Sequence, residues 1–216
     1  MQVRGTKIAY AVLATIGLFG LAPTQASAQG LANRTAPYMR VYGIAQPPYG
    51  HVQFCDRLPE ECRSGIVQEQ RFNATPERLN ELDRINRQVN HEIAPATDLE
   101  IYGQTEYWTL PTTRGDCEDY ALLKRKRLIA RGWPASALLM TVVRDEKGEG
   151  HAVLTARTVQ GDFVLDNKVS DIKVWHRTGY QYVMRQSYLD PRIWMTLDPV
   201  EGTPAMNLSG VSQERR

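Results

Sequence analysis

Two apolar stripes of helical period, followed by a run of short alternating segments, organise the chain. The first stripe is Leu79, Leu82, Ile85 and Val89 with Asn86 among them, the spacing of one helix face. Thr75-Pro76-Glu77 stands in front of it: a capping hydroxyl, a proline at the first helical position and an acid in the first turn. Arg78, Glu81, Arg84 and Arg87 fall on the other face, which reads as solvated surface, and Pro95 ends the helix. The second stripe, Tyr120, Leu123 and Leu128, predicts a helix over residues 117–131. Asp116 suits its N-cap, Arg131-Gly132 its C-terminal cap, and Pro134 follows. Lys124, Arg125, Lys126 and Arg127 form a basic stretch in this helix, expected on a solvated face.

After residue 134 the pattern changes to strands. Residues 137–143 are a continuous apolar run, Asp145-Glu146-Lys147-Gly148-Glu149-Gly150 is a polar turn, and 151–159 alternates with branched residues. Gln160-Gly161 turns the chain, 162–165 brings it back, and 180–184 and 193–196 predict further strands. A helix followed by a meander of short antiparallel strands is an α+β architecture. Upstream, Pro47-Pro48-Tyr49-Gly50 reads as a turn, and the stretch through Asp98 and Gly103 to Tyr107-Trp108 reads as a loop.

Composition bounds the class. A chain of 216 residues, 42% apolar and 23% charged, is one ordinary globular domain. Its first residues read as a secretory signal: Arg4 and Lys7, an apolar stretch over 8–21, then Ala26-Ser27-Ala28. The apolar stretch is short for a membrane span; an uncleaved anchor is the alternative. Without residues 1–28 the chain carries 24 basic and 24 acidic residues, so its charge gives no ground for a nucleic-acid or anionic-membrane partner. The expected organisation is a signal over 1–28, an N-terminal arm over 29–49, one domain over 50–200 and a tail over 201–216. There is no repeat and no second domain.

An exported chain meets an oxidising compartment, where cysteines pair. Cys55 and Cys62 are the natural pair, close in sequence around a small loop, which leaves Cys117 odd. Cys117 lies in Gly115-Asp116-Cys117-Glu118-Asp119-Tyr120, at the start of the second helix. A helix N-terminus favours thiolate, whereas three neighbouring carboxylates raise a thiol's pKa. Either the carboxylates turn away towards cations, or a bound cation neutralises them. Calcium takes carboxylate oxygens without needing His or Cys, so Asp116, Glu118 and Asp119 are the candidate ligands; the alternative is a capped helix with no metal. His151 opens a strand after the flexible turn and is the candidate general base. Asp166 closes the returning strand, where a hairpin brings it beside His151 to orient the imidazole, and Asn167 is the alternative orienting group. His51, His91 and His176 read as surface or loop residues. No zinc-type spacing of His and Cys occurs. The backbone N–H of Cys117 is the candidate oxyanion donor.

Taken together, Trp108, Gly115-Asp116-Cys117-Glu118-Asp119-Tyr120, Gly150-His151-Ala152-Val153-Leu154 and Leu165-Asp166-Asn167 resemble the bacterial transglutaminase-like cysteine peptidases of the LapG type. The resemblance runs from about residue 50 to 197 and includes the Cys55-to-Cys62 segment. It implies a papain/transglutaminase-like core with the cysteine helix packed on an antiparallel sheet that bears His and Asp. It also implies a Cys117-His151-Asp166 triad, calcium at the acidic motif and a periplasmic location. The implied partners are a large surface adhesin as substrate and a membrane receptor that senses cyclic-di-GMP. Two other readings stay open: a cell-wall thiol amidase or peptidase, against which Glu118 counts because small residues usually follow that cysteine, and a non-enzymatic calcium-binding adaptor.

Overall fold

The computed structural model describes residues 37–64 and 71–199. The signal segment, residues 29–36 of the arm and the tail lie outside the described residues. The chain forms one seven-stranded sheet with helices packed on one face. In chain order the elements are β1 (Gly43–Ala45), α1 (Tyr49–Arg57), a 3-10 turn at Pro59–Cys62, α2 (Pro76–Glu92), β2 (Ala94–Pro95), α3 (Asp98–Tyr102), β3 (Arg114–Gly115) and α4 (Cys117–Ile129). The strands β4 (Leu138–Arg144), β5 (Gly150–Thr158), β6 (Gly161–Leu165), β7 (Lys173–Val174), β8 (Gln181–Gln186) and β9 (Trp194–Thr196) follow.

Strands β4 to β6 make the expected antiparallel meander, and β7, which the sequence pattern did not mark, continues it. The chain then crosses back, so that β8 pairs with the open side of β4 and the order becomes β1-β9-β8-β4-β5-β6-β7. β1 closes the edge, with Ile44 opposite Met195; residues 43–45 therefore belong to the sheet. Alternation along the strands splits the core in two. Met140, Val142, Ala152, Leu154 and Leu165 face the helices and meet Leu82, Ile85 and Val89 of α2 and Tyr120, Ala121 and Leu128 of α4. Val143, Val153, Val164 and Tyr182 face the other way, under Met39 and Leu197.

Helix α2 begins as its sequence dictates: the Thr75 hydroxyl accepts the Arg78 N–H at 3.3 Å, and Pro76 opens the helix. Three local readings are corrected. Pro47-Pro48-Tyr49-Gly50 is not a turn, because Tyr49 and Gly50 start α1. Glycine is needed there for closeness, since a Cβ at position 50 would stand 2.3 Å from Trp108 Cδ1. The loop at Asp98 contains α3, which carries a reciprocal Thr97–Glu100 capping box and ends at Gly103 with φ 70°. Lys124 and Arg125 are buried rather than solvated; the Arg125 Nε donates to Leu138 O at 3.1 Å and its Nη1 to Glu61 O at 3.2 Å.

Among the described residues no helix is long and apolar enough to cross a membrane. Cys55 and Cys62 are joined, seven residues apart. Their bond ties the end of α1 to the following 3-10 turn. Replacing both by alanine is expected to lower the unfolding free energy by about 2 kcal/mol, the chain-entropy value for so short a loop, read as a lower urea midpoint.

Candidate active site

Two helix starts are brought side by side by a pairing only two residues long. After α2 the chain runs through β2, which pairs in parallel with β3 (Ala94 with Arg114, Pro95 with Gly115). The Ala94 N–H donates to Thr113 O at 2.8 Å and the Ala96 N–H to Gly115 O at 3.0 Å. The next residues on each strand open a helix, α3 at Asp98 and α4 at Cys117. Gly115 makes the approach possible, because a Cβ there would stand 2.7 Å from Asp119 Oδ2 and 2.8 Å from Asp119 Cβ.

Cys117 is the first residue of α4 and is half-buried. Its N–H is one of the helix's first four, which have no partner within the helix. The sulfur touches the sheet: the Ala152 N–H donates to Cys117 Sγ at 3.4 Å. Ala152 follows His151 on β5, so the sulfur rests on the strand next to the residue that carries the imidazole, where the start of α4 abuts the start of β5. The thiol itself donates to Glu118 Oε2 at 3.0 Å. Burial, then the charges of Glu118 and Asp116, push the Cys117 thiol well above its usual range.

His151 is 1% exposed. Its Nε2 lies 2.8 Å from Asp166 Oδ1, so the carboxylate takes that one of the two ring nitrogens. The Tyr180 hydroxyl donates to Asp166 Oδ2 at 2.6 Å, and the Lys168 N–H donates to Oδ1 at 2.9 Å. The Tyr180 ring stands edge-on to the imidazole, centroids 5.8 Å apart. Burial works to raise the Asp166 pKa, but the bonds from His151, Tyr180 and the Lys168 N–H outweigh it and hold the carboxylate below its ordinary range. The structure thus joins His151 to Asp166 rather than Asn167, and sets the Cys117 sulfur against the backbone of the residue after His151.

The acidic residues divide differently from the expected set. Carboxylate oxygens of Asp98, Asp116 and Glu118 lie within 4.8 Å of one another. Asp119 turns aside, its Oδ1 accepting the Thr109 N–H at 2.8 Å. Asp116 occupies the N-cap position of α4, yet its side chain makes no capping bond. Both Asp116 oxygens, Asp98 Oδ1, Glu118 Oε1 and Asp119 Oδ2 are buried without a hydrogen-bond partner. Burial and the neighbouring carboxylates push Asp116 up to about 7, Asp119 up to about 9 and Glu118 up as well, and burial raises Asp98 against the pull of the Tyr107 N–H and Arg57. Buried oxygens converging without donors fit a hard divalent cation. Arg57 is the cation acting on Asp98; its Nη2 donates to Trp108 O at 2.7 Å, and its guanidinium lies 4.1 Å above the Tyr107 ring.

Asp98 and Tyr180 are the members that sequence reasoning missed. The Thr97–Glu100 capping box could have placed Asp98 at a helix start, but nothing in the sequence marks the strand pairing that brings it to Asp116. Tyr180 carried no local signal beyond its place at the start of a predicted strand. Trp108 is fully buried core. His51 is buried too, contrary to the surface reading, and lies between Gln186 and Trp194. Burial, helped by Arg125 and Arg192, lowers its pKa to about 3, so the ring stays neutral. With Cys55 and Cys62 joined to each other, His51 beside them is no metal centre.

A thiol at a helix start, resting on the strand that carries an imidazole, and a carboxylate bonded to that imidazole are the parts of a thiol hydrolase. The model of the bacterial transglutaminase-like cysteine proteinase family matches residues 41–201, and the chain belongs to that family. It is a cysteine peptidase with a transglutaminase-like α+β fold. Similar solved structures include calcium-bound LapG of Legionella pneumophila, 24% identical, covering 63% of this chain and 78% of that one with a TM-score of 0.48. EGTA-treated LapG of the same organism is 27% identical over 52% of this chain and 64% of that one, TM-score 0.44. A further LapG structure is 27% identical over 52% and 65%, TM-score 0.44. No curated protein matches the chain.

Tyr180→Phe would strip Asp166 Oδ2 of its donor. A hydrogen bond to a charged group is worth about 1.5–3 kcal/mol, so the unfolding free energy near neutral pH is expected to fall by about that much. A carboxylate held below its unfolded pKa contributes stability above that pKa and loses it as pH falls through the folded value. The gap between Tyr180→Phe and wild type is therefore expected to close in acid, read from urea melts at neutral pH and at about pH 3.

Proposed function

We propose that this protein is a calcium-dependent periplasmic cysteine endopeptidase in which Cys117 is the nucleophile, His151 the general base and acid, and Asp166 the residue that orients and charges the imidazole. The observation that carries the reading is the chain of contacts from Ala152 N–H to Cys117 Sγ at 3.4 Å and from His151 Nε2 to Asp166 Oδ1 at 2.8 Å. His151 Nδ1 takes the thiol proton, and the sulfur attacks the scissile carbonyl carbon. The Cys117 N–H is positioned to donate to the resulting oxyanion. The C–N bond breaks as His151 returns the proton to the leaving amine, giving a thioester on Cys117. Water, deprotonated by His151, then hydrolyses the thioester and restores the thiol.

Asp98, Asp116 and Glu118 would hold the calcium ion. Their converging, partnerless oxygens support this set, and the absence of His or Cys among them suits a hard cation. When bound, the ion supplies charge balance and a fixed start for α4. Asp119 supports the same turn through the Thr109 N–H. The family resemblance supports a large surface adhesin as substrate and a receptor that senses cyclic-di-GMP as regulator, and the charged, apolar and small-residue pattern of residues 1–28 supports export.

The test is cleavage of an adhesin N-terminal fragment by purified protein. Cys117→Ala and His151→Ala are each expected to lose activity by on the order of 10³-fold or more; full activity in Cys117→Ala would end the reading. Chelation is expected to abolish cleavage and calcium to restore it. Calcium is also expected to raise the melting temperature of wild type, since a ligand that binds only the folded state stabilises it. Asp98→Asn is expected to weaken that rise, so an equal rise in wild type and variant would remove Asp98 from the ion's ligands.

A further inference from the structure

The helices cover one face of the sheet, and the other face carries a cleft that the reaction above does not use. Met39, Tyr182 and Leu197 are buried on that face, with Trp175 and Tyr180 packed against them. Together with Tyr42 they line a cleft of about 420 Å³. That volume falls in the range of pockets that hold small ligands. The segment before β1 supplies Met39 and Tyr42, and the connection from β7 to β8 supplies Trp175 and Tyr180. Tyr182 comes from β8 and Leu197 from the end of β9. Most of these side chains are aromatic rings, which present broad apolar surface at small cost in conformational freedom.

Both sides of the cleft are held in place. On one side the Met39 N–H donates to Asp162 Oδ2 at 2.7 Å and the Tyr42 N–H to Thr196 O at 3.0 Å. On the other, Trp175 O accepts the Tyr182 hydroxyl at 3.1 Å and the Thr178 hydroxyl at 2.8 Å. The Trp175 ring stands edge-on to Tyr182, centroids 5.4 Å apart. Tyr42 nevertheless remains 42% exposed. A concave aromatic surface whose walls are fixed and whose rings stay accessible is the form of a binding site.

Tyr180 joins this cleft to the active site. Its hydroxyl donates to Asp166 Oδ2 at 2.6 Å, its ring centroid lies 5.8 Å from that of His151, and it lines the cleft as well. An extended chain advances about 3.3 Å per residue. A polypeptide lying across His151 therefore reaches the cleft within a few residues of the bond being cut. We propose that the cleft is a substrate subsite, which takes a large apolar or aromatic side chain of the polypeptide being cleaved. The inference rests on the assignment of Cys117, His151 and Asp166 made above and adds a source of specificity to it. A Leu, Met, Phe or Tyr side chain of the substrate gains by burial against these rings and by edge-on contact with them. A segment without such a side chain leaves the cleft to water and binds more weakly.

The experiment uses a synthetic library of short peptides with every position varied. Wild type digests the library, and Cys117→Ala captures peptides from it. Cleaved peptides are expected to carry a large apolar or aromatic residue at a fixed distance from the cut, and captured peptides to be enriched in the same residues. Tyr42→Ala removes a partly exposed ring outside the triad. It is expected to melt close to wild type and to be alkylated at Cys117 by iodoacetamide at the wild-type rate. On a peptide selected by wild type its kcat/KM is expected to fall by on the order of tenfold, through KM, and in the Cys117→Ala background it is expected to abolish the enrichment. Trp175→Ala is expected to act in the same direction; should it fail to fold, Tyr42→Ala decides alone. A library cut and captured without preference, or the same preference and KM in Tyr42→Ala, overturns the proposal. A wild-type dimer that Tyr42→Ala dissolves assigns the cleft to a second copy of the chain and overturns it too. Digestion no greater by wild type than by Cys117→Ala sinks the triad instead. Capture needs no catalysis, so enrichment lost in Tyr42→Ala still upholds the cleft as a peptide site in that case, and its absence still overturns it.

Discussion

Negative charge buried at the first turn of α4 is the constraint on which the rest of the site depends. Asp98, Glu118 and Asp119 are fully buried, and Asp116 lies among them. Such a cluster survives only if its oxygens find donors or a cation. The chain supplies some donors: the Tyr107 N–H to Asp98 and the Thr109 N–H to Asp119. These bonds wrap the segment before β3 over the helix start and close the distance between α3 and α4. They leave five buried oxygens without partners, and the proposed calcium ion answers that remainder. The same charge faces the sulfur, because Glu118 accepts the Cys117 thiol proton. A helix start favours thiolate, but here uncompensated carboxylates oppose it. Charge balance at the cluster and reactivity at the sulfur are in that sense one problem.

The sheet side of the site is built on the opposite plan. His151 and Asp166 come from neighbouring strands whose register, Leu154 opposite Leu165, is fixed by a buried face. Each Asp166 oxygen has its donor, from His151 and the Lys168 N–H on one and from Tyr180 on the other. This half is satisfied by protein groups alone and needs no ion to hold its shape. The division suits a peptidase whose base is permanently aligned and whose nucleophile depends on what occupies the acidic cluster.

Much of this was legible along the chain. Thr75-Pro76 and the Leu82, Ile85, Val89 stripe define α2 because capping and period act locally. The hairpin from His151 to Asp166 was legible because turn residues and alternation fix its register. What was not legible depends on contacts between distant segments. Asp98 lies eighteen residues from Asp116, and a two-residue parallel pairing brings them together. Lys124 and Arg125 sit in a run of four basic residues, a pattern that ordinarily means solvent; their burial follows from α4 being covered by α2 and the sheet at once. Gly50 looked like turn chemistry beside two prolines, when its lack of a side chain serves the approach of Trp108. Edge strand β1 is three residues long and carries little pattern of its own.

The central claim is that Cys117 becomes a competent nucleophile when the acidic cluster is charge-balanced and His151 is present. The rate of Cys117 alkylation at pH 7 by an iodoacetamide probe tests it most directly, with calcium and with chelator, in wild type and His151→Ala. The account predicts fast labelling only in wild type with calcium, and labelling no faster than an ordinary free thiol of pKa about 8.5 in the other three samples. Equal rates in all four would contradict it.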